Sequence, residues 1–281
     1  EKDTLFRLKS SEDTGIHFSN EIDGHLTDTF NVLDFEYMYN GAGVASGDIN
    51  NDGLLDLYFA GNFVSGQLYL NKGQLKFEDI TVQSGITTEK WGTGVSMVDI
   101  NNDGWLDFIV ASRLFINNKD NTFTDKRESF GLPLQFDEGL SIADINNDGL
   151  LDVIYHQNTI GPLIYTQKNN KFEFAHCLVQ PSPHNDSGMS VFDINMDGWI
   201  DIINSWRPLE NIRSFSLLGS PEGFIAERAK WWEFEINKRS SSNEKIRVAL
   251  EAPSYFLIND DSKIDLIANL DKGGQKIFIN E

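Results

Sequence analysis

Four short stretches of the chain each place three aspartates and one or two asparagines within nine residues. The first is Asp48-Ile-Asn-Asn-Asp-Gly-Leu-Leu-Asp56, and close variants begin at Asp99, Asp144 and Asp193. Carboxylates crowded this closely repel one another, by on the order of a few kcal/mol per pair, unless a cation neutralises them. All four stretches fit D-I-N-x-D-G-[LW]-[LI]-D, a repetition too regular to arise by chance.

The pattern supplies oxygen donors in a spacing that suits calcium, which prefers about six to eight oxygen ligands in a flexible cage. We expect the side chains at positions 1, 3, 5 and 9 and the backbone carbonyl of position 7 to converge on one ion. Glycine at position 6 permits the tight turn. A metal-free turn, in which Asp and Asn cap their own backbone, is the alternative.

We number these stretches loops 1 to 4 in chain order. The predicted metal ligands are Asp48, Asn50, Asp52, Leu54 and Asp56 in loop 1; Asp99, Asn101, Asp103, Trp105 and Asp107 in loop 2; Asp144, Asn146, Asp148, Leu150 and Asp152 in loop 3; and Asp193, Asn195, Asp197, Trp199 and Asp201 in loop 4.

Two other kinds of metal site fit these loops less well. An EF-hand begins in the same way but requires an acid at position 12, and that position holds Phe59, Val110, Tyr155 or Asn204. Magnesium suits the loops less well, because it gives up water reluctantly for an all-protein cage. We expect about four structural calcium ions, since nothing in the loops supplies the open position and adjacent base of a catalytic metal.

Short strands must position these loops, because apolar, aromatic and β-branched runs flank them. Successive loops begin 51, 45 and 49 residues apart, a period typical of propellers and solenoids. Each repeat contains four candidate strands, which predicts an all-β fold, a β-propeller of four-stranded blades. Five repeats are visible, and the predicted blades cover residues of about 41–90, 91–134, 135–183, 184–247 and 248–281.

The fifth repeat is degraded, because Leu257 replaces the first aspartate and Ser262 replaces the glycine. Its remaining donors, Asn259, Asp261 and Asp265, are expected to hold calcium poorly or not at all. This repeat also ends after three strands, and residues 6–9 resemble the fourth strand of the other repeats. We expect a five-bladed ring closed by that strand, with residues 1–40 as the closing strand and lead-in, so that residues 1–281 form one domain. The alternative is that these repeats are part of a larger ring, such as a seven-bladed one.

Three segments carry a family resemblance: TGIHFSNEI at 14–22, YNGAGVASGDINNDGLLDLYFAGN at 39–62 and LYLNKGQLKFEDIT at 68–81. The chain resembles FG-GAP/VCBS-repeat β-propellers, and is especially similar to the secreted ASPIC/UnbV and cartilage acidic protein group of Bacteroidota. The resemblance implies extracellular recognition, with attachment to the outer cell surface through a lipid on a removed upstream residue. It fixes no ligand, and no ASPIC/UnbV-like C-terminal region is visible.

Composition restricts the possible partners. The formal charge of −20 would fall to about −12 with four calcium ions bound, which argues against nucleic acid and anionic membranes as partners. The sequence contains no run of eighteen apolar residues, so it predicts no transmembrane segment. Cys177 is the one cysteine, so no internal disulfide can form. Calcium at the millimolar concentration outside cells would take the place of such cross-links.

A ligand is expected on the ring face opposite the loops, where aromatic rings beside carboxylates and amides would suit a sugar. The candidate ligand-binding residues are Tyr37, Trp91, His184, Asp186, Trp206 and Arg207. We expect a non-enzymatic binding or adhesion module for a glycan or protein, because the sequence has no nucleophile elbow and no phosphate loop. The alternatives are a polysaccharide lyase or glycosidase acting at the channel mouth, and a scaffold subunit of a cell-surface complex.

Overall fold

The computed structural model describes residues 6–22, 42–88, 94–110, 113–133, 139–156, 162–177, 186–193, 196–206, 215–221, 225–228, 251–256, 265–269 and 275–278. Within these ranges the chain is all-β, apart from three single helical turns. The turns are α1 (Ser11–Thr14), α2 (Thr81–Ser84) and α3 (Arg127–Phe130). No helix among the described residues is long and apolar enough to cross a membrane.

The strands form antiparallel sheets in which neighbours along the chain are neighbours in the sheet. The first sheet contains β1 (Val44–Gly47), β2 (Asp56–Phe59), β3 (Gln67–Asn71) and β4 (Phe77–Asp79), and the second contains β5 (Val95–Val98), β6 (Asp107–Val110), β7 (Arg113–Asn117) and β8 (Phe123–Asp125). The third contains β9 (Gly139–Ala143), β10 (Asp152–His156), β11 (Leu163–Lys168) and β12 (Lys171–Cys177), and the fourth contains β13 (Asp186–Phe192), β14 (Asp201–Trp206), β15 (Phe215–Leu218) and β16 (Ile225–Arg228). The fifth contains β17 (Glu251–Phe256), β18 (Asp265–Asn269) and β19 (Gln275–Phe278). Repeated four-stranded meanders of this kind are the blades of a propeller, so the all-β fold class is confirmed.

Each of loops 1 to 4 connects the first strand of a sheet to the second. The Cα pairs beside the loops are Gly47 with Asp56, Val98 with Asp107, Ala143 with Asp152 and Phe192 with Asp201. Position 9 of every loop is therefore the first residue of the second strand. This register places all four loops at the same end of their sheets, as the sequence predicts.

The chain divides into two compact units, residues 1–136 and 137–281. In the first unit, Tyr58 of the first sheet packs on Phe108 of the second, with ring centroids 5.4 Å apart. Phe108 also meets Phe123 edge to face at 4.9 Å. In the second unit, Ile154 and Ile202 are fully buried in one apolar cluster that joins the third and fourth sheets. Each such side chain stabilises the fold by about 1.5–3 kcal/mol.

The helical turns α2 and α3 each follow the fourth strand of a sheet and end at a glycine with positive φ. Gly85 has a φ of 77° and Gly131 a φ of 79°, a left-handed conformation that favours glycine. The N-terminal helical turn α1 also ends at such a glycine, Gly15, with a φ of 81°. A Cβ atom at Gly15 would clash with the carbonyl oxygen of Phe77, so this turn is packed against β4.

The closing strand expected at residues 6–9 is not a strand. These residues pair with no described strand, and Phe6 and Leu8 are 90% and 97% exposed. A strand needs a neighbour to accept and donate its backbone hydrogen bonds, and no described residue supplies them here. The fifth sheet has three described strands. The single domain, the blade bounds and the closure of a ring stay predictions.

Candidate metal loops

Loop 1 folds because its polar side chains bind its own backbone. The Asp48 carboxylate accepts the N–H of Asp52 at 3.0 Å and that of Gly53 at 2.7 Å, and Asn50 Oδ1 accepts the same Asp52 N–H at 3.1 Å. Asn51 and Gly53 have φ values of 59° and 86°, in the left-handed region that Asn and Gly tolerate best. Positions 1, 3 and 5 are thereby brought together on one side of the turn.

The other three loops repeat this structure. The N–H of position 6 donates to the carboxylate of position 1 at 2.7 Å in loop 2, 2.8 Å in loop 3 and 2.8 Å in loop 4. The N–H of position 7 donates to the carboxylate of position 5 at distances of 2.8–3.0 Å across the four loops, from Leu54, Trp105, Leu150 and Trp199. Asn195, at position 3 of loop 4, lies outside the described residues.

The aspartate at position 9 anchors each loop to the sheet. Asp56 is fully buried and accepts the N–H of Ile49 at 3.0 Å and the N–H of Asn71 at 2.7 Å. Ile49 is position 2 of the loop, and Asn71 ends the third strand. One carboxylate therefore joins the start of the loop, the second strand and the third strand.

The anchors of loops 2 to 4 are also fully buried. Asp107 accepts the N–H groups of Ile100 at 3.2 Å and Asn117 at 2.8 Å. Asp152 accepts those of Ile145 at 3.1 Å and Gln167 at 2.7 Å. In loop 4, Asp201 accepts the N–H of Gly219 at 2.8 Å.

Burial is the main influence on the ionisation of these anchors. It raises the pKa of Asp107 to about 7 and that of Asp152 to about 6, and it raises the pKa of Asp56 as well. The backbone N–H donors oppose the shift, while the carboxylates at positions 1 and 5 of the same loop add to it. A loop without a cation therefore contains carboxylate charge that its surroundings do not fully offset.

Supporting amides at the end of the third strand were not predicted from the sequence. Asn71 donates from its side chain to the carbonyl of Leu55 at 2.8 Å, and Asn117 donates to that of Leu106 at 3.0 Å. Gln167 does the same for Leu151 at 2.9 Å. The recurrence of Asn or Gln at this point of three repeats is a signal that could have found them. Gly219 takes this position in the fourth sheet, where a Cβ atom would clash with the Ile200 carbonyl.

The donor chemistry of the loops fits calcium. Each loop offers carboxylate and amide oxygens, the ligands that a hard cation prefers. Among the described residues, no three His, Cys, Asp or Glu side chains form a group that could hold a metal ion without further donors. Lys119 Nζ lies 3.3 Å from the Asp103 carboxylate and supplies positive charge in loop 2. The role of position 9 as a metal ligand stays a prediction.

Two of the candidate ligand-binding residues lie in described strands. Asp186 and Trp206 are Cα partners in the β13–β14 ladder, at the end of the sheet opposite loop 4. A register shift between Asp186 and Gly188 marks a bulge at this end. Tyr37, Trp91, His184 and Arg207 lie outside the described residues.

These sheets and loops define an all-β repeat protein built from aspartate-anchored blades. A family model for the FG-GAP-like repeat matches residues 48–110, from the start of loop 1 to the end of β6. The FG-GAP part of the expected resemblance is therefore confirmed for this segment. No curated protein matches the sequence significantly, and the resemblance to the ASPIC/UnbV group stays a prediction.

Several solved structures are similar to the chain at low identity. The V. cholerae biofilm matrix protein Bap1 is 14% identical with a TM-score of 0.44, over 82% of this chain and 35% of that one. The Photorhabdus luminescens Tc holotoxin pore is 19% identical with a TM-score of 0.40, over 68% and 10%. AofleA from Arthrobotrys oligospora is 11% identical with a TM-score of 0.32, over 85% and 83%. The chain thus spans about a third of the Bap1 chain and a tenth of the Tc toxin chain.

Proposed function

We propose that this chain is a calcium-stabilised extracellular binding module, without enzymatic activity, that recognises a glycan or a protein. The observation that carries the proposal is the repeated loop. Its oxygen donors at positions 1, 3 and 5 lie in a turn that the buried aspartate of position 9 ties to the sheet by hydrogen bonds. The match of residues 48–110 to the FG-GAP-like repeat supports it. Calcium would supply the positive charge that the clustered carboxylates need.

The residues of the loop have distinct parts in holding the ion. Positions 1, 3 and 5 would bind it, which in loop 1 are Asp48, Asn50 and Asp52. Glycine at position 6 keeps the turn tight, with its N–H on the first aspartate. Asp56 fixes the loop to two strands. A bound ion would therefore stiffen the junction between the first three strands of each sheet.

Charge and calcium supply together favour a location outside the cell. The formal charge of −20 leaves the chain acidic even with four ions bound, by about twelve charges. Extracellular calcium is millimolar and would fill loops of modest affinity, whereas cytosolic calcium would leave them mostly empty. An acidic surface repels nucleic acid and anionic lipid, and leaves glycans and proteins as partners.

The end of the fourth sheet opposite loop 4 is the part of the proposed ligand face that lies in described strands. There the register brings Asp186 beside Trp206. An aspartate and a tryptophan at facing positions of neighbouring strands are residue types that suit a sugar, because an indole can stack on a pyranose and a carboxylate can accept hydroxyl hydrogen bonds. The metal loops stand at the other end of the sheet, so they would stabilise this face without touching the ligand.

Thermal unfolding with and without calcium tests the metal. A site that is saturated a hundredfold above its Kd stabilises the fold by about 2.7 kcal/mol, so chelation with EGTA should lower the Tm markedly. Magnesium at the same concentration should restore little of the loss. Asp52→Ala should lower the Tm less than chelation does, because three loops keep their donors. A Tm unchanged by EGTA would refute the structural role of calcium.

Glycan-array binding tests the ligand face. We expect binding in calcium, loss of binding in EGTA, and loss of binding in calcium for Trp206→Ala. Phe174→Ala is the matched control, because Phe174 is a half-exposed aromatic in β12 and lies outside the proposed face. A Trp206→Ala variant that binds the array like the unsubstituted chain would contradict the assignment of this face.

A further inference from the structure

The metal loops are hydrogen-bonded to one another. The side-chain amide of Asn51, at position 4 of loop 1, donates to the carbonyl of Gly104 in loop 2 at 3.1 Å, across 53 residues of sequence. In the second unit, Asn147 of loop 3 donates to the carbonyl of Gly198 in loop 4 at 2.8 Å. In both pairs the donor is position 4 of one loop and the acceptor is position 6 of the next.

A second contact joins loops 1 and 2. The Asn117 side-chain amide donates to the carbonyl of Ile49, position 2 of loop 1, at 2.9 Å, and to that of Leu106, position 8 of loop 2, at 3.0 Å. Asn117 is 3% exposed, and its backbone N–H binds the Asp107 anchor. A single buried amide thus connects the backbones of both loops.

These bonds end on peptide groups that position the metal donors. The Gly104 carbonyl shares its peptide group with the Trp105 N–H, which donates to Asp103 at 3.0 Å, and the Gly104 N–H donates to Asp99 at 2.7 Å. Holding Gly104 therefore restrains the carboxylates of positions 5 and 1. Asn51 stands between Asn50 and Asp52, two donors of loop 1. An ion that orders one loop therefore reduces the conformational entropy that the other loop must lose when it binds its own ion.

We propose that neighbouring loops bind calcium as coupled sites, on the evidence of the bonds that join loop 1 to loop 2 and loop 3 to loop 4. Asn51, Asn147 and Asn117 are the positioning residues of this coupling. The inference rests on the proposed function, because it requires that the loops bind calcium. It adds that the affinity of one loop depends on the occupancy of its neighbour, and by linkage the dependence is reciprocal.

Loop 4 lacks the donating amide at position 4. Its position 4 is Met196, which has the same left-handed backbone, with a φ of 58°, but has no N–H donor on its side chain. Met196 is also 54% exposed. The next repeat lacks the first aspartate and the glycine, because Leu257 and Ser262 replace them. The amide is thus absent at the one intact loop that is followed by a degraded one.

Terbium luminescence sensitised by tryptophan measures a single loop. Loop 2 has Trp105 at position 7, where loop 1 has Leu54. In a Trp199→Phe background, Trp105 is the one tryptophan within loops 1 to 4, so terbium titration and displacement by calcium report the affinity of loop 2. Exchanging the reporter, by Leu54→Trp with Trp105→Leu, makes loop 1 the reporting loop.

The first arm tests Asn51 from loop 2. Asn51→Gly removes the amide and keeps the positive φ that glycine tolerates, and Met196→Gly is the matched control at the same position. We expect Asn51→Gly to weaken terbium binding at loop 2 by about two- to tenfold, the value of one hydrogen bond, and the control to leave it unchanged. Asp52→Ala in loop 1 should also weaken loop 2, and should do so less in the Asn51→Gly background.

The second arm tests Asn117 from loop 1. Asn117→Ala should weaken terbium binding at loop 1 by a similar factor, whereas Gln167→Ala, the equivalent change in the third sheet, should not. Circular dichroism verifies the fold of each variant. Should Asn117→Ala fail to fold, the first arm alone tests the coupling. A terbium affinity at loop 2 that neither Asn51→Gly nor Asp52→Ala changes would overturn the coupling. Folded protein that binds no terbium or calcium in any loop would instead refute the proposed function.

Discussion

Asp107 provides a quantitative test of how an anchor stabilises its blade. Its carboxylate is fully buried and accepts one backbone N–H from Ile100 and one from Asn117. Asp107→Asn keeps the size of the side chain and one carbonyl acceptor, whereas Asp107→Ala removes both acceptors. Both substitutions remove the charge, so the difference between the two variants reports the retained hydrogen bond and the packing of the side chain.

The expected magnitude follows from the two donors. A buried N–H that loses its acceptor costs about 1–3 kcal/mol. The Asn variant leaves one donor unpaired and the Ala variant leaves two, so the Ala variant should unfold with about 1–3 kcal/mol less free energy than the Asn variant. Burial raises the pKa of Asp107 to about 7, which means that its ionised form is disfavoured without a cation. Both variants should therefore lose more stability, relative to the unsubstituted chain, in calcium than in EGTA.

Urea unfolding followed by far-UV circular dichroism measures these differences, at about pH 8, where Asp107 is mostly ionised. Asp125→Ala is the control, because Asp125 is exposed. Its carboxylate pairs with Arg113 at 3.6 Å and accepts the exposed N–H of Arg127 at 3.1 Å. Such pairs contribute about 0–1 kcal/mol. Equal unfolding free energies for Asp107→Ala and Asp107→Asn, or a control as damaging as Asp107→Ala, would refute the anchoring role.

Two further substitutions test the backbone of the blades. Met196→Asn should raise the free energy of unfolding by about 1 kcal/mol, and with it the Tm, because asparagine tolerates the left-handed φ of 58° better than methionine does. An unchanged or lower Tm would contradict this. Gly66→Ala should lower the Tm strongly, because its Cβ would clash with the buried Tyr58 ring. At Gly73 the φ is 81° and the space around it is open, so Gly73→Ala should cost only about 1 kcal/mol of backbone strain. Equal decreases in Tm for Gly66→Ala and Gly73→Ala would show that the Tyr58 contact is not decisive.

The sequence by itself determined the loops and the strands around them. The turn of each loop is local, since aspartate and asparagine side chains bind N–H groups two to five residues away, and Gly53 supplies the left-handed backbone. Apolar runs on both sides predicted the strands for the same local reason. The order of four strands per repeat followed from their recurrence along the chain.

Contacts distant in sequence were decided by the tertiary structure. Asp56 reaches Asn71 across 15 residues, and Asn117 reaches Ile49 across 68. No local pattern shows that Asp56 is a buried anchor as well as a candidate ligand, or that one loop binds the next. Residues 6–9, expected as a closing strand, pair with no strand among the described residues, and a strand exists only where another strand shares its hydrogen bonds. Local side-chain chemistry therefore shaped each turn, and the stacking of sheets within each unit determined what that turn is attached to.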